Sequence, residues 1–429
     1  MKLLVMVFGF AASINTHGTT LVASIEAAMA HDSGMSAAKY ALQMGQEKAK
    51  QGRALLLPQL SLTANSGIER QDDVPTALIR GEYVASMQQT LFDAAKYAQS
   101  QQGTLSHRLA VLMYRQAEEE LILSVSDAYL SILWKKKAFQ ARGSAKKVFE
   151  TQLAAAKLAF ELGDGTRTEV DEAQVKHDNA LAAAISAYTE LEIVNNVYQR
   201  LTGLNAAAVT PLKEVCHRTM LTFDKVQIWD EVLDKYSALG IAALRVEQAQ
   251  TDLTAAKNNH LPQVNAHATY AQTWQRSARK GAYPDFNTES GRRYVGISLS
   301  LPLFTGGNHA SINREMVAAM GKAKALLTNE QRLAFQETQS VLMKIQHGFA
   351  LLKARDQAVV SSQKRLASTQ YGREIGLRTN EATLDAVNEY YDAISAQAEA
   401  SHQLLMHRLK LARIRGQLNG PFLASIKCL

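Results

Sequence analysis

The chain has 429 residues, with 47 Lys and Arg against 40 Asp and Glu, a net charge of +7 and only seven prolines. Its length suggests two or three compact domains. The proline-free spans between Phe92 and Gly203 and between Phe304 and Gly416 argue against that picture: they permit very long helices, in which an interior proline would cost about 3 kcal/mol. The basic balance does not point to nucleic acid, because Lys and Arg are interspersed with acids, as in Glu118-Glu119-Glu120 ahead of Lys135-Lys136-Lys137, the pattern of solvated helix faces.

Residues 1–18 read as an export signal. Lys2 supplies the positive start, residues 3–12 a short apolar core, and small residues follow. A buried first helix is the alternative. No cysteine lies nearby to carry a lipid anchor. No later stretch approaches the ~20 apolar residues of a membrane helix. An exported chain of this kind is soluble in the periplasm or crosses a membrane as β-strands. Cys216 and Cys428 follow Gly203 and Gly416 by 13 and 12 residues. An oxidising compartment permits a disulfide, two independent thiols are the simpler reading, and the spacing suits neither a metal nor a redox motif.

The remainder is written twice. Leu57-Pro58-Gln59-Leu60 recurs 204 residues on as Leu261-Pro262-Gln263-Val264, and Leu91-Phe92 recurs 212 residues on as Leu303-Phe304. Gly163 recurs as Gly376, and Arg200-Leu201-Thr202-Gly203 as Arg413-Ile414-Arg415-Gly416, both 213 residues on. Only the loop between paired strands changed length appreciably, so this is a tandem duplication. The first repeat covers 19–215, with a strand pair at 59–92 and a helical hairpin at 93–203. The second covers 216–429, with a strand pair at 262–304 and a hairpin at 308–417.

Each repeat opens with an amphipathic helix, at 25–55 and 228–258, and then switches to period 2 after the proline turn. Leu60, Leu62, Ala64 and Ile68 alternate with Ser61, Thr63 and Asn65; Val264, Ala266, Ala268 and Tyr270 alternate with Asn265, His267 and Thr269. Returning strands are expected at 83–92 and 294–304, the latter with Val295, Ile297, Leu299, Leu301 and Leu303 on one face. About ten residues cross an outer membrane at a tilt, although a soluble sandwich shows the same alternation. Four strands leave open edges, which hydrocarbon does not tolerate. Closure takes about eight strands or more, so the chain must share a barrel with copies of itself. Three copies would give about twelve strands; two would give an eight-strand barrel filled by side chains. The polar stretches 69–82 and 271–293, the second carrying Trp274, Arg276, Arg279, Lys280, Arg292 and Arg293, read as exterior loops.

The spans 92–163 and 304–376 are each about 70 residues, roughly 100 Å as helix. Apolar residues recur at heptad-like spacing (Leu105, Leu109, Leu112; Leu121, Val125, Ala128, Ile132; Leu342, Ile345, Phe349, Leu352), a coiled-coil seam. A simple dimeric coiled coil leaves the shorter return limbs, 168–202 and 381–415, unexplained. Stacking each opening helix end to end with a return limb pairs two short helices with one long one and makes a helical tube. The turns read Gly163-Asp164-Gly165-Thr166-Arg167-Thr168-Glu169 and Gly376-Leu377-Arg378-Thr379-Asn380-Glu381-Ala382. Glycine permits the left-handed end of one helix, and Thr168 or Thr379 can cap the next.

With its two Leu-Pro-Gln turns, the strand ending Leu-Pro-Leu-Phe-Thr-Gly-Gly at 301–307 and both helical turns, the chain resembles the TolC family of outer-membrane export channels over nearly its whole mature length. The resemblance implies a mainly α fold with a β-barrel part: a homotrimer with a twelve-stranded barrel, four transmembrane strands per chain, above a long α-helical coiled-coil tunnel through the periplasm. It implies outer membrane lipid, a periplasmic adaptor and an inner-membrane pump or ABC transporter as partners, with passive, gated conduction and no cofactor. Arg378 matches a constricting arginine and Asp385 a ring aspartate. Ala382 stands where a second ring acid is expected; Glu381 beside it is the candidate compensating acid of the constriction, although it points about 100° away around the helix. The tip surface (Gly163, Gly165, Thr166, Arg167, Gly376, Leu377, Arg378 and Thr379) matches the adaptor contact. Read as residues alone, Arg378 and Asp385 are equally an exposed tip pair worth under about 1 kcal/mol.

Catalytic and metal residues are not expected. The histidines are scattered, His402 and His407 are misaligned on a helix, no HExxH, P-loop or GxSxG occurs, and Gly306-Gly307 lacks the further glycines of a nucleotide site. The rival function is a soluble periplasmic coiled-coil adaptor or scaffold. A diffusion porin has no use for such long helices.

Overall fold

A computed structural model describes residues 19–70, 77–211, 225–277 and 288–418. The expected signal at 1–18, Arg279, Lys280, Cys216 and Cys428 lie outside the described residues. The elements in order are α1 (Leu21–His31), α2 (Ser33–Ala54), β1 (Gln59–Glu69), β2 (Leu78–Phe92), α3 (Ala94–Glu161), α4 (Arg167–Thr202), a short 3-10 turn (Ala206–Ala208), α5 (Lys225–Lys235), α6 (Ser237–Asn258), β3 (Gln263–Ser277), β4 (Thr288–Ser300), α7 (Asn308–Glu374) and α8 (Asn380–Ile414). None of these helices is long and apolar enough to cross a membrane.

Each expected opening helix is in fact two. The first breaks at Asp32, whose backbone is extended and whose carboxylate accepts from Met35 N at 2.8 Å, capping α2. The second breaks at Tyr236, the position 204 residues later.

The chain divides into two compact units. One comprises residues 38–115 and 237–332 and holds the sheet. Its strands lie in the order β1-β2-β3-β4, all antiparallel. The register places Leu60, Met87, Ala268 and Val295 in one cross-strand row, and Leu62, Ala85, Tyr270 and Arg293 in the next on the same face. The intervening row, Ser61, Ser86, Thr269 and Tyr294, belongs to the other face. One face is therefore an apolar band, and the other is polar, bearing Gln59, Gln88, His267, Asn65 and Glu82. β1 and β4 are edges, and the large apolar side chains Leu60, Leu62, Ile68, Val295, Ile297 and Leu299 are exposed.

The strand boundaries differ from the sequence reading in two respects. β2 begins at Leu78, β3 continues to Ser277 and β4 begins at Thr288, so most of the described residues in the stretches read as loops are strand. Trp274, Arg276, Arg292 and Arg293 sit in the ladder. Trp274 lies directly opposite Gly81, and its indole occupies the space a Cβ there would fill. Its ring also stacks on Tyr83 at 4.8 Å between centroids. The second difference is that β4 stops at Ser300, although the alternation continues through Leu303. Ser300 pairs with Gln263, the first residue of β3 after Pro262, so Leu301 has no strand opposite it.

In the same unit, α2 meets α3 through small residues. A Cβ on Gly52 would come within 2.9 Å of Ser100 O, and one on Gly45 within 2.3 Å of Ala110 Cβ. Asp93 caps α3, accepting from Ala95 N and Lys96 N at 3.0 Å each.

The other unit contains α1, α4, α5, α8 and most of α3 and α7. Of the expected seam in this unit, Leu121, Val125, Ala128, Ile132, Ile345 and Leu352 are buried, while Leu342 and Phe349 are half-buried. Tyr198 is fully buried with its hydroxyl 2.7 Å from Ser24 Oγ, and the Tyr129 hydroxyl donates to Thr210 O at 2.7 Å. Arg415 donates twice to Glu231, at 2.6 and 3.2 Å, which holds that carboxyl below its ordinary pKa range.

Candidate functional site

The two helical turns, α3 to α4 and α7 to α8, share their backbone design. Gly163 and Gly376 adopt φ of 81° and 76°, the left-handed region that favours glycine. Asp164 N then bonds back to Ala159 O at 2.9 Å, and Leu377 N to Gly372 O at 2.7 Å, closing each helix in the Schellman manner.

The caps that follow are not identical. Thr379 caps α8 as expected, accepting from Ala382 N at 3.2 Å. In the first turn the cap is Thr166, not Thr168, which lies inside α4. Thr166 Oγ1 accepts from Glu169 N at 3.3 Å while Glu169 Oε2 accepts from Thr166 N at 2.8 Å, a reciprocal capping box. The residue equivalent to Glu169 is Ala382, so α8 carries only half of this arrangement. Arg167 is occupied by Asp171 one turn on, at 3.1 Å.

Arg378 is exposed and makes no side-chain hydrogen bond or ion pair among the described residues. Its stem lies over Gly372, where a Cβ would come within 2.7 Å of Arg378 Cγ. The equivalent pair in the first turn is Ala159 and Gly165, and there the large and small positions are exchanged: a Cβ on Gly165 would approach the Ala159 Cβ to 3.2 Å.

Asp385 does not pair with Arg378. It faces Lys176 on α4, Oδ1 to Nζ 2.6 Å, with the two side chains half and one-third exposed. This link joins the two return limbs of the repeats. Its neighbours on α8, Leu384 and Val387, pack in a core with Ala145, Phe149 and Ala180. Glu381 is exposed in the first turn of α8, suited to the helix N-terminus but without a side-chain partner among the described residues. Arg373 donates to Gln152 at 2.7 Å and to Asn380 at 3.4 Å, tying α7 to α3 and to the start of α8. Farther along, Arg365 pairs with Glu389, and Gln174 and then His177 hydrogen-bond Asp178 and lower its pKa.

The apolar residues at the turns are solvent-facing: Leu162 is 69% and Leu377 76% exposed. Among the residues expected from sequence, the turns bring Gly163, Gly165, Thr166 and Arg167 together, and likewise Gly376, Leu377, Arg378 and Thr379. Lys176, Gly372 and the role of Glu169 were not expected. The signal for Gly372 was available, because offsetting the two turns by 213 residues exposes the exchanged sizes.

Comparisons with known proteins agree on the relationship. The outer membrane efflux protein family matches residues 24–204 and 229–417, the two repeats separately. The chain is 25% identical to the outer membrane protein TolC of Vibrio cholerae over 375 residues, 87% of this chain and 85% of that protein. It is likewise 25% identical to the alkaline protease secretion protein AprF of Pseudomonas aeruginosa over 406 residues, 91% of this chain and 83% of that one. The fold matches the Campylobacter jejuni CmeC outer membrane channel with a TM-score of 0.78 at 13% identity, over 93% of this chain and 86% of that one. With the family match spanning most of its length, the chain belongs to the outer membrane efflux protein family and is a protein of the outer membrane.

Proposed function

We propose that this chain is one protomer of a homotrimeric export duct, gated at the helical turns and driven by its partners. The supporting observation is the sheet: one apolar face, one polar face and two unpaired edges, in a chain that also carries two long helical hairpins. Such a sheet suits a membrane wall only when its edges are closed. Pairing β1 of one copy with β4 of the next would close it, and three copies would supply about twelve strands. The two structural repeats, 19–215 and 216–429 after a leader at 1–18, each contribute one hairpin.

Arg378, Asp385 and Glu381 would form the constriction, with Lys176 holding Asp385. The surface of Gly163, Gly165, Thr166, Arg167, Gly376, Leu377 and Thr379, with its exposed leucines, suits a periplasmic adaptor. An inner-membrane pump or ABC transporter would supply the energy. Drugs, ions and secreted proteins are all cargo classes for such a duct, and the likeness to a protein named for protease secretion favours polypeptides.

Electron microscopy of detergent-purified full-length protein tests this. Three-fold symmetric particles that need detergent to stay dispersed are expected. A particle that is soluble without detergent and lacks three-fold symmetry would overturn the duct in favour of a periplasmic adaptor or scaffold.

A further inference from the structure

The apolar face of the sheet contains a groove of about 330 Å³. Its floor is made by the small side chains Ala85 and Ala268, with Leu60 and Met87 on one side and Tyr270 and Arg293 on the other. The register accounts for it: Ala268 lies directly between Met87 and Val295, and Ala85 between Leu62 and Tyr270. Two alanines on adjacent central strands leave a channel that their larger row neighbours wall in.

Arg293 stands at one end. Its guanidinium lies 5.8 Å from the centre of the Tyr270 ring, directly opposite it in the ladder. Two residues earlier on β4, Gly291 offers no side chain, and Gln272 lies over it. Two cations occupy this face among the described residues. Arg276 is paired with Glu289 at 3.6 Å, whereas Arg293 has no acidic partner among the described residues. A cation on a lipid-facing surface is unfavourable within hydrocarbon and suited to the headgroup level. An aromatic ring beneath it marks the same level.

We infer that this groove is a lipid-binding site: one acyl chain of a phospholipid lies over Ala85 and Ala268, and its anionic headgroup phosphate is taken by Arg293. The inference rests on the reading of the sheet as a membrane wall. The guanidinium fork suits phosphate oxygens in a way a lone ammonium does not. The nearby Tyr270 ring favours the cation over its face, and the groove removes acyl methylenes from contact with neighbouring chains. A second copy of the protein is not the natural occupant, because copies would meet at the strand edges and the groove lies on the face.

The test uses full-length protein in vesicles of equal phosphatidylcholine and phosphatidylglycerol, re-extracted gently, with retained lipid counted by native mass spectrometry. Wild type should retain phosphatidylglycerol over phosphatidylcholine about five-fold, the effect of one basic residue at an anionic surface. Arg293→Gln should retain the two equally, Arg293→Lys should keep part of the preference, and Ala268→Phe, which fills the groove, should lower retention of both. No preference in wild type, an unchanged preference in Arg293→Gln, or unchanged retention in Ala268→Phe would each overturn the site. Insertion into pure phosphatidylcholine vesicles reports separately on the membrane wall: insertion without anionic preference sinks the lipid site alone, and failure to insert sinks both.

Discussion

Arg378 rests its stem on the bare backbone of Gly372, in the space where any other residue would place a Cβ. The residue proposed to narrow the entrance is thereby positioned by a residue six places before it, in the last turn of α7. Gly372→Ala should displace Arg378 without removing its charge. The expected result in planar bilayers is a raised closed-state leak conductance, in the same direction as Arg378→Ser but smaller. Conductance unchanged by both substitutions would count against Arg378 as a constriction.

The Lys176–Asp385 pair is exposed, so it contributes at most about 1 kcal/mol to stability. Its consequence is electrostatic: each Asp385 carries a neighbouring cation, and Ala382 adds no second acid. Lys176→Gln should leave the melting temperature nearly unchanged and shift the reversal potential in a salt gradient toward cation preference. Asp385→Asn should shift it the opposite way.

The two helix starts differ by one carboxylate. Thr166→Ala removes the hydroxyl half of the capping box, the bond from Glu169 N to Thr166 Oγ1, and should cost about 1 kcal/mol locally, read as faster hydrogen exchange in the first turn of α4. Conversely, Ala382→Glu would give Thr379 a reciprocal partner and should slow exchange at the start of α8.

Phe149 is buried to 1% exposure against Leu384 and Val387. Phe149→Ala should destabilise this hairpin pair by about 3–5 kcal/mol, a loss visible by thermal melting. Its effect on leak should exceed that of Lys176→Gln, because it loosens the support of α8 as a whole.

Alkaline stability should depend on Tyr236. Burial first, and then the nearby Glu337 charge, push its hydroxyl up to about 12, and that hydroxyl donates to Glu337 Oε2 at 3.1 Å. A folded-state value above the ordinary one of about 10 means the contribution is complete below pH 10 and is lost as pH rises toward 12. The two-unit gap corresponds to about 3 kcal/mol. The difference in melting temperature between wild type and Tyr236→Phe should therefore shrink between pH 9 and pH 12; a constant difference would refute the assignment.

What the sequence made legible is local or periodic. The alternation at 60–65 and 264–270, the glycines that end α3 and α7, and the long seams follow from periods of 2 and 3.6. The misses are non-local or depend on competing signals. Apolar periodicity runs on through Asp32 and Tyr236, where the helices break. The outer halves of β2, β3 and β4 are polar enough to read as loops, yet they pair because Trp274 and Gly81 fit across the ladder. Leu301 and Leu303 continue the pattern of β4 but have no strand opposite. At the turns, Thr166 and Thr168 are equally good caps by type, and only Glu169 reaching back decides between them. Lys176 and Asp385 are 209 residues apart in the chain, a separation across which residue type alone identifies no pair.

The open edges of β1 and β4 also have a genetic consequence. If each sheet is completed only by its neighbours, assembly is steep in subunit concentration, and an unassembled chain is a template for stray strand addition. A copy with one edge blocked, such as Ile297→Pro in β4, could join one partner but not close the ring. Co-expressed with wild type, it should act dominantly and poison every assembly it enters, whereas a chain with both edges blocked should be recessive.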